Sequence, residues 1–159
     1  MNSGLSLIMG WLTFTNDPVP TLEGSVYWGR PNVPGNAFYP AGFTNTLAIV
    51  GSLYTPPAPA TRILDMTNGT LTIMDGDLPA NLVYTVALLT NNVVTNLTGL
   101  PTNKFSVKFT NSTGAMTVTF RPTGAATDKT VHGTVSQQST NAAGWFQGTT
   151  HTGSILLQP

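Results

Sequence analysis

Alternating apolar and polar residues in the second half of the chain predict short antiparallel strands. In Lys104–Thr110 (KFSVKFT) every second residue is apolar, and Met116–Arg121 shows the same period. A period of two places apolar side chains on one face of a strand and polar side chains on the other. The intervening Ser112-Thr113-Gly114 is rich in turn formers. Two strands with one buried face each, joined by a turn, are therefore predicted.

The same pattern of short apolar runs between turn residues predicts about ten strands. Asn68-Gly69 is the strongest short hairpin signal in the chain, and Asp75–Asp77 and Asn91-Asn92 predict further turns. The other predicted strands are Glu23–Gly29, a strand centred on Leu47–Val50 within Phe43–Tyr54, and Arg62–Thr67, Thr70–Asp75, Leu82–Leu89, Val93–Leu97, Thr130–Gln137, Gly144–Gln147 and Ser154–Leu157.

The first predicted strand, Leu7–Thr15 (LIMGWLTFT), is apolar on both faces at its start. It suits a strand that is partly buried on both sides. Leu5–Phe14 is accordingly a candidate for strand exchange, in which it adds to the sheet edge of a neighbouring molecule. Met1–Phe14 lacks the basic region and cleavage site of a secretory signal and is too short to span a bilayer. We therefore expect a mature fragment and no membrane insertion.

No segment has the sustained i, i+3, i+4, i+7 apolar pattern of an amphipathic helix. The prediction is an all-β fold, an antiparallel meander of about ten strands, with a barrel favoured over a sandwich. A barrel removes the edge strands that a surface poor in charge does not protect.

A chain of 159 residues fits one domain better than two, and we predict a single β-domain over residues 1–159. A weak internal sequence similarity relates Ser25–Pro31 to Thr117–Pro122 and Gly51–Pro57 to Gly153–Pro159. It raises the alternative of two repeated halves, about 7–60 and 61–159, although a fixed period is missing.

Composition excludes several classes of function. Six Lys and Arg balance six Asp and Glu, and only 8% of residues are charged, against about 25% in ordinary soluble domains. A neutral chain lacks the basic surface that binds nucleic acid. With no cysteine, disulfide scaffolds and thiolate metal sites are excluded. The polar surface must instead come from 27 Thr, 13 Asn and 9 Ser, a composition commoner outside bacterial cells than in the cytosol.

Several motifs resemble those of an uncharacterised β-rich module. That module occurs near the ends of large secreted bacterial proteins that carry immunoglobulin-like or propeller repeats. The resemblance implies an extracellular accessory domain and transfers no catalytic residue. The matching motifs are Val26-Tyr27-Trp28, Tyr39–Phe43, Gly51–Tyr54, Gly133–Gln138, Gly144–Gly148 and Gly153–Pro159.

Residues for catalysis are few, and an enzyme is disfavoured. His132 and His151 are the only bases for nucleophilic catalysis. Glu23 and Asp65 are the two carboxylates expected to point inward from strands, as a hydrolase in a barrel mouth requires. Asp75-Gly76-Asp77 is a faint calcium motif, but its following residues do not complete the loop, and a turn is the better interpretation. No cofactor or metal is indicated.

Aromatic residues are the better candidates for a binding site. Tyr27, Trp28, Tyr39 and Trp145 stand among Asn and Thr residues, and flat rings with a polar environment suit a neutral sugar. Tyr27 and Trp28 are adjacent on a strand and so must face opposite ways. The alternative is a purely structural role, in which these rings fill the core or hold loops in place.

The function expected from these observations is a non-catalytic, secreted structural or adhesive β-domain that assembles through strand or edge pairing. The expected partner is a second copy of the chain, in an oligomer or filament, or a cell-surface glycan. The alternatives are a carbohydrate- or small-ligand-binding module and a hydrolase.

Overall fold

The fold is all-β, as predicted. A computed structural model describes residues 6–16, 18, 20–98 and 105–159 and shows no helix among them. The described residues form eleven strands, close to the predicted ten. They are β1 (Leu7–Thr15), β2 (Thr21–Arg30), β3 (Phe43–Ser52), β4 (Asn68–Asp75), β5 (Leu82–Leu88), β6 (Val94–Asn96), β7 (Phe105–Thr110), β8 (Ala115–Phe120), β9 (Lys129–Ser136), β10 (Asn141–Gln147) and β11 (Thr152–Gln158).

The chain divides into two compact units, Met1–Leu53 and Tyr54–Pro159. The first unit holds a three-stranded sheet, and the second holds an eight-stranded sheet. The boundary between the two units lies between Leu53 and Tyr54, slightly before the position near residue 60 that the internal sequence similarity suggests. A single domain and a duplicated one both stay predictions.

The eight-stranded sheet of the second unit is nearly closed into a barrel. Its antiparallel order is β6-β5-β4-β11-β10-β9-β8-β7, in which the first strand of the unit, β4, pairs with the last, β11. The end strands β6 and β7 lie in contact with each other. All other neighbours are consecutive in sequence, so that the predicted meander and the preference for a barrel are both confirmed.

The core of the second unit fills the barrel. Along β8 the predicted buried face is confirmed, because Met116, Val118 and Phe120 are all at most 1% exposed. Phe120 meets Phe146 of β10 edge to face, with ring centroids 5.1 Å apart, an arrangement favoured by the ring quadrupoles. On β7, Phe105 and Val107 pack partly buried against this core, and Phe109 is buried.

The predicted hairpin at Asn68-Gly69 is wrong. Both residues lie within β4, and the predicted strand Arg62–Thr67 is irregular chain. Gly69 instead leaves room for the neighbouring strand β11, because a Cβ at this position would lie 2.4 Å from the carbonyl oxygen of Gln158. Glycine at this position permits close approach of two strands, a role that sequence alone does not separate from a turn.

Two other predicted turns are confirmed. Asp75, Gly76 and Asp77 have φ values of 59°, 63° and 63° and end β4. Asn92 has a φ of 62°, and its backbone N–H donates to the carbonyl of Leu89 at 2.9 Å. Asp and Asn adopt this left-handed region more readily than most residues do.

Polar side chains hold the segment before β4 against the barrel. Ile63, 1% exposed, donates its backbone N–H to Oδ1 of the buried Asn92 at 2.7 Å. The amide of Gln137 bonds both the N–H and the C=O of Thr55, at 2.9 and 2.8 Å. These bonds satisfy backbone groups that no strand pairs with, and they bring Ile63 and Leu64 into the core.

Candidate interaction surface

The first unit is an open three-stranded sheet in the order β1-β2-β3. Pairing is continuous and antiparallel, from Leu7 opposite Gly29 to Thr15 opposite Thr21, and β2 pairs in the same way with β3. β1 pairs with its own β2 along its whole length, and the addition of this segment to the sheet edge of a neighbouring molecule stays a prediction. Leu5, the first residue proposed for exchange, lies outside the described residues.

Large apolar side chains of this sheet are exposed. All nine residues of β1 are exposed, and Trp11 and Phe14 reach 89% and 78%. On β3, Val50 is 76% exposed. Among the described residues of the first unit no large hydrophobic side chain is buried. The prediction that Leu7–Thr15 is partly buried on both sides is therefore wrong for this chain taken by itself.

The strand register separates two faces that differ in chemistry. One, here called the apolar face, consists almost entirely of hydrophobic residues and glycine. It is formed by Ile8, Gly10, Leu12, Phe14, Leu22, Gly24, Val26, Trp28, Arg30, Phe43, Asn45, Leu47, Ile49 and Gly51, of which only Arg30 and Asn45 are polar. The other, the mixed face, combines Leu7, Met9, Trp11, Tyr27 and Val50 with Ser, Thr and one carboxylate, Glu23.

Two of the four aromatic residues predicted to bind a ligand lie together. Trp28 and Tyr39 both pack edge to face against Phe43, at ring-centroid distances of 5.0 and 5.1 Å. Tyr39 has a φ of 48°, and its carbonyl accepts the N–H of Gly42 at 2.9 Å. The irregular loop before β3 is thus held in place by its own tyrosine.

The other two aromatic candidates lie elsewhere. Tyr27 projects from the mixed face, opposite to Trp28, as adjacent strand residues must. Trp145 belongs to the second unit, where it is 63% exposed on β10 and faces His132 of β9 and Ser154 of β11. A ligand site made of all four rings is not present in one unit, and the use of each ring in binding stays a prediction.

Two concavities lie in the first unit. The larger, about 500 Å³, is at the β1–β2 turn and is lined by apolar side chains, among them Phe14, Leu22 and Leu53. Leu53 is held there by its N–H, which donates to the carbonyl of Pro20 at 3.1 Å. The smaller, about 260 Å³, lies beside Tyr27 and Arg30. The apolar lining of the larger concavity extends the hydrophobic surface of the sheet.

Charge is nearly absent from this unit. Among its described residues only Glu23 and Arg30 are charged, and they lie on opposite faces of β2 by alternation. The interactions such a surface can offer are the hydrophobic effect and backbone hydrogen bonds at its strand edges, with little contribution from charge.

A cluster of Asp77, Thr150 and His151 is the one grouping in the described residues with the chemistry of a catalytic triad. The Asp77 carboxylate accepts the Thr150 hydroxyl at 2.6 Å and contacts His151 Nδ1 at 3.0 Å. It also accepts the backbone N–H groups of Thr149 and Thr150, at 2.6 and 2.7 Å. These hydrogen bonds, first those from Thr150, hold the pKa of Asp77 well below its usual range.

The geometry of Asp77, Thr150 and His151 is that of a hydrogen-bonded link between two loops, here called the latch. In a triad the nucleophile and the carboxylate contact different nitrogens of the base. Here the Thr150 hydroxyl and the Asp77 carboxylate both contact Nδ1 of His151, at 2.8 and 3.0 Å, and the hydroxyl also bonds the carboxylate directly. Asp77 thereby ties the β4–β5 turn to the β10–β11 loop. The sequence offered no signal for this contact, since the residues are more than seventy positions apart.

The remaining candidates for catalysis are dispersed. Glu23 belongs to the first unit, while Asp65 and His132 are exposed residues of the second. Asp128 pairs with Arg121 at 2.6 Å, and Asp17 lies outside the described residues. Within the described part of the chain, no group of three or more His, Asp or Glu residues is placed to hold a metal ion.

Comparison with known proteins adds no relative. No family model, no curated protein and no solved structure matches the chain. Among the residues that the structure describes, no helix has the length and apolar character needed to cross a membrane.

Proposed function

We propose that this chain is a non-catalytic structural or adhesive β-domain that works outside the cell and assembles through the three-stranded sheet of its first unit. The observation that carries the proposal is the exposure of that sheet. Its large hydrophobic residues lie at the surface, whereas the hydrophobic residues inside the barrel are buried.

The physical basis is the cost of leaving apolar surface in water. Burial contributes about 25 cal/mol per Å², and monomeric proteins rarely expose large contiguous apolar patches. A sheet of three strands gains stability when a hydrophobic face is covered. The apolar face, with Ile8, Leu12 and Phe14 exposed at 63%, 46% and 78%, is a surface of the kind that a partner covers.

The second unit suits the role of a scaffold. Its barrel is nearly closed and has a continuous core from Ile63 to Leu157. Closure leaves few unpaired strand edges. Assembly is therefore assigned to the first unit, and the barrel provides a stable body to which that unit is linked.

Composition and resemblance support an extracellular setting. The chain has no cysteine, few charges and a surface rich in Thr and Asn. It also resembles, in the motifs given above, a module of large secreted bacterial proteins. We propose the same setting for this chain.

Sedimentation velocity over a hundredfold concentration range tests the assembly. We expect the full chain to self-associate and a variant carrying Ile8→Ser, Leu12→Ser and Phe14→Ser to remain monomeric. Val83→Ser is the matched control, because Val83 is 57% exposed on β5 of the barrel, and it should behave as the parent chain. A parent chain that is monomeric throughout would refute the proposal, and so would a triple variant that associates equally well.

Carbohydrate binding is the second candidate function. It is favoured by Trp145, which presents an exposed ring on β10 beside Ser154 and His132, and by the Trp28–Phe43–Tyr39 cluster. A glycan array tests it, with Trp28→Ala and Trp145→Ala as the variants. We expect the signal to fall with one of the two. Absent signals, or signals unaffected by either change, would contradict sugar binding by these rings.

A further inference from the structure

We propose that two copies of this chain pair edge to edge through β1, antiparallel, with Trp11 opposite Trp11 of the second copy and Leu7 opposite its Thr15. This inference rests on the assembly proposed above and specifies its partner, strand and register. The result is a continuous six-stranded sheet built from two first units.

The first argument is the unprotected edge. β1 is the terminal strand of its sheet, and its pairing with β2 runs one to one without a bulge. The strand contains no charged residue and no proline. Bulges, edge charges and prolines are the usual means by which proteins prevent strands from adding to an edge, and β1 has none of them.

The second argument distinguishes β1 from β3, the other edge. β3 is also free of charge and proline, but its first half exposes the polar residues Thr44, Asn45 and Thr46. Six of the nine residues of β1 are large and apolar, and all six are at least 46% exposed. Pairing at β1 therefore removes more apolar surface from water than pairing at β3.

The third argument is the register. A two-fold axis perpendicular to the sheet pairs residues whose side chains share a face, because it keeps each side chain on its own face. Placing the axis at Trp11 pairs all nine residues of β1, while any other position leaves unpaired ends. It also sets Leu12 opposite Gly10, where no side chain competes for space, and Ile8 opposite Phe14.

The net charge of the chain and the surface area available on β1 are consistent with a dimer that forms reversibly. The chain carries no net charge, so that two copies do not repel each other. Nine antiparallel residue pairs make about eight to ten main-chain hydrogen bonds, similar to the number in a protein interface of standard size. The six exposed apolar side chains of β1 present on the order of 700 Å² of accessible surface per copy. Pairing covers part of this surface, so that the buried area lies at or below the lower limit for a specific interface. We expect a dimer that dissociates on dilution, with a dissociation constant on the order of micromolar.

Cysteine cross-linking tests this register, because the chain contains no cysteine and each introduced thiol reports alone. Met9 and Thr13 face each other across the proposed axis. Met9→Cys and Thr13→Cys should therefore cross-link when the two variants are mixed and oxidised, at least about tenfold faster than either variant alone, as disulfide geometry requires close Cβ atoms. Trp11→Cys should cross-link with itself. Ser25→Cys, on the central strand opposite Trp11, is the control and should remain monomeric.

The outcomes separate this inference from the function on which it rests. A parent chain that self-associates in sedimentation, but whose Met9→Cys and Thr13→Cys mixture cross-links no faster than the Ser25→Cys control, overturns the β1 pairing and leaves the proposed assembly standing. Species larger than a dimer in which Trp11→Cys does not cross-link with itself overturn the two-fold arrangement in favour of β1–β3 pairing. A parent chain that is monomeric at every concentration overturns both.

Discussion

The two units of this chain are built from the same kind of strand and differ in what covers them. In the second unit, alternating residues of eight strands meet inside the barrel, and Phe120 and Phe146 are at most 2% exposed. In the first unit, the strands are as long or longer, yet Trp11 is 89% exposed. The difference shows that strand number and closure, rather than hydrophobic content, decide whether apolar residues become a core.

Geometry explains the difference. Eight strands can curl until the first and last meet, so that one face of every strand turns inward. Three strands cannot enclose their own side chains and need a second layer. The apolar residues that stabilise the barrel internally are, in the small sheet, available to a partner.

The largest contrast should appear between two phenylalanines. Phe146→Ala should lower the free energy of unfolding by about 3–5 kcal/mol, because it leaves a cavity in the barrel core. Phe14→Ala, at an exposed position of β1, should change it by less than about 0.5 kcal/mol. Urea unfolding followed by circular dichroism, at a concentration where the chain is monomeric, measures both. Equal losses would mean that the two units do not differ in packing as described.

A smaller effect is expected where a polar side chain completes the barrel core. Asn92→Ala removes the acceptor of the Ile63 N–H and should cost about 1–3 kcal/mol in the free energy of unfolding. Asn92→Gly tests the cause, since glycine relieves the positive φ but also lacks the amide. We expect Asn92→Gly to remain clearly less stable than the parent chain in the same assay. Full recovery with glycine would assign the loss to backbone conformation instead.

The smallest effect should come from the exposed latch at Asp77, where solvent screens the interactions. Because hydrogen bonds lower the folded-state pKa of Asp77, its ionised form stabilises the fold above the unfolded-state pKa of about 3.9. This contribution is lost as pH falls from about 4 towards the lowered folded-state pKa. Asp77→Asn should therefore melt below the parent chain at pH 7, and the two melting temperatures should converge as pH falls below about 4. A difference that is constant with pH would contradict the role of the charge.

The sequence predicted the fold class and most strands because their signals are local. The alternation in Lys104–Thr110 and Met116–Arg121 is read correctly within a few residues, although Lys104 lies outside the described part of the chain. The bounds of Leu7–Thr15 agree fully with β1. In each case a hydrophobic period is bounded by turn residues, and no distant contact is needed to interpret it.

The errors arise where distant strands decide the structure. Asn68-Gly69 carries a turn signal, but the approach of β11, some ninety residues later in the chain, places Gly69 inside a strand. The exposure of Leu7–Thr15 likewise depends on how few strands pair with it, which no local pattern reports. The grouping of Trp28 with Tyr39 depends on Phe43, and no local pattern predicts that the Phe43 ring lies between them.

Hydrogen–deuterium exchange of the full chain at low and high protein concentration tests whether β1 takes part in self-association. If the first unit is an assembly surface, backbone amides of β1 should exchange more slowly at high concentration, while those of β4 and β10 in the barrel should not change. Exchange rates in β1 that are the same at both concentrations, or protection that appears only in the barrel, would contradict this account.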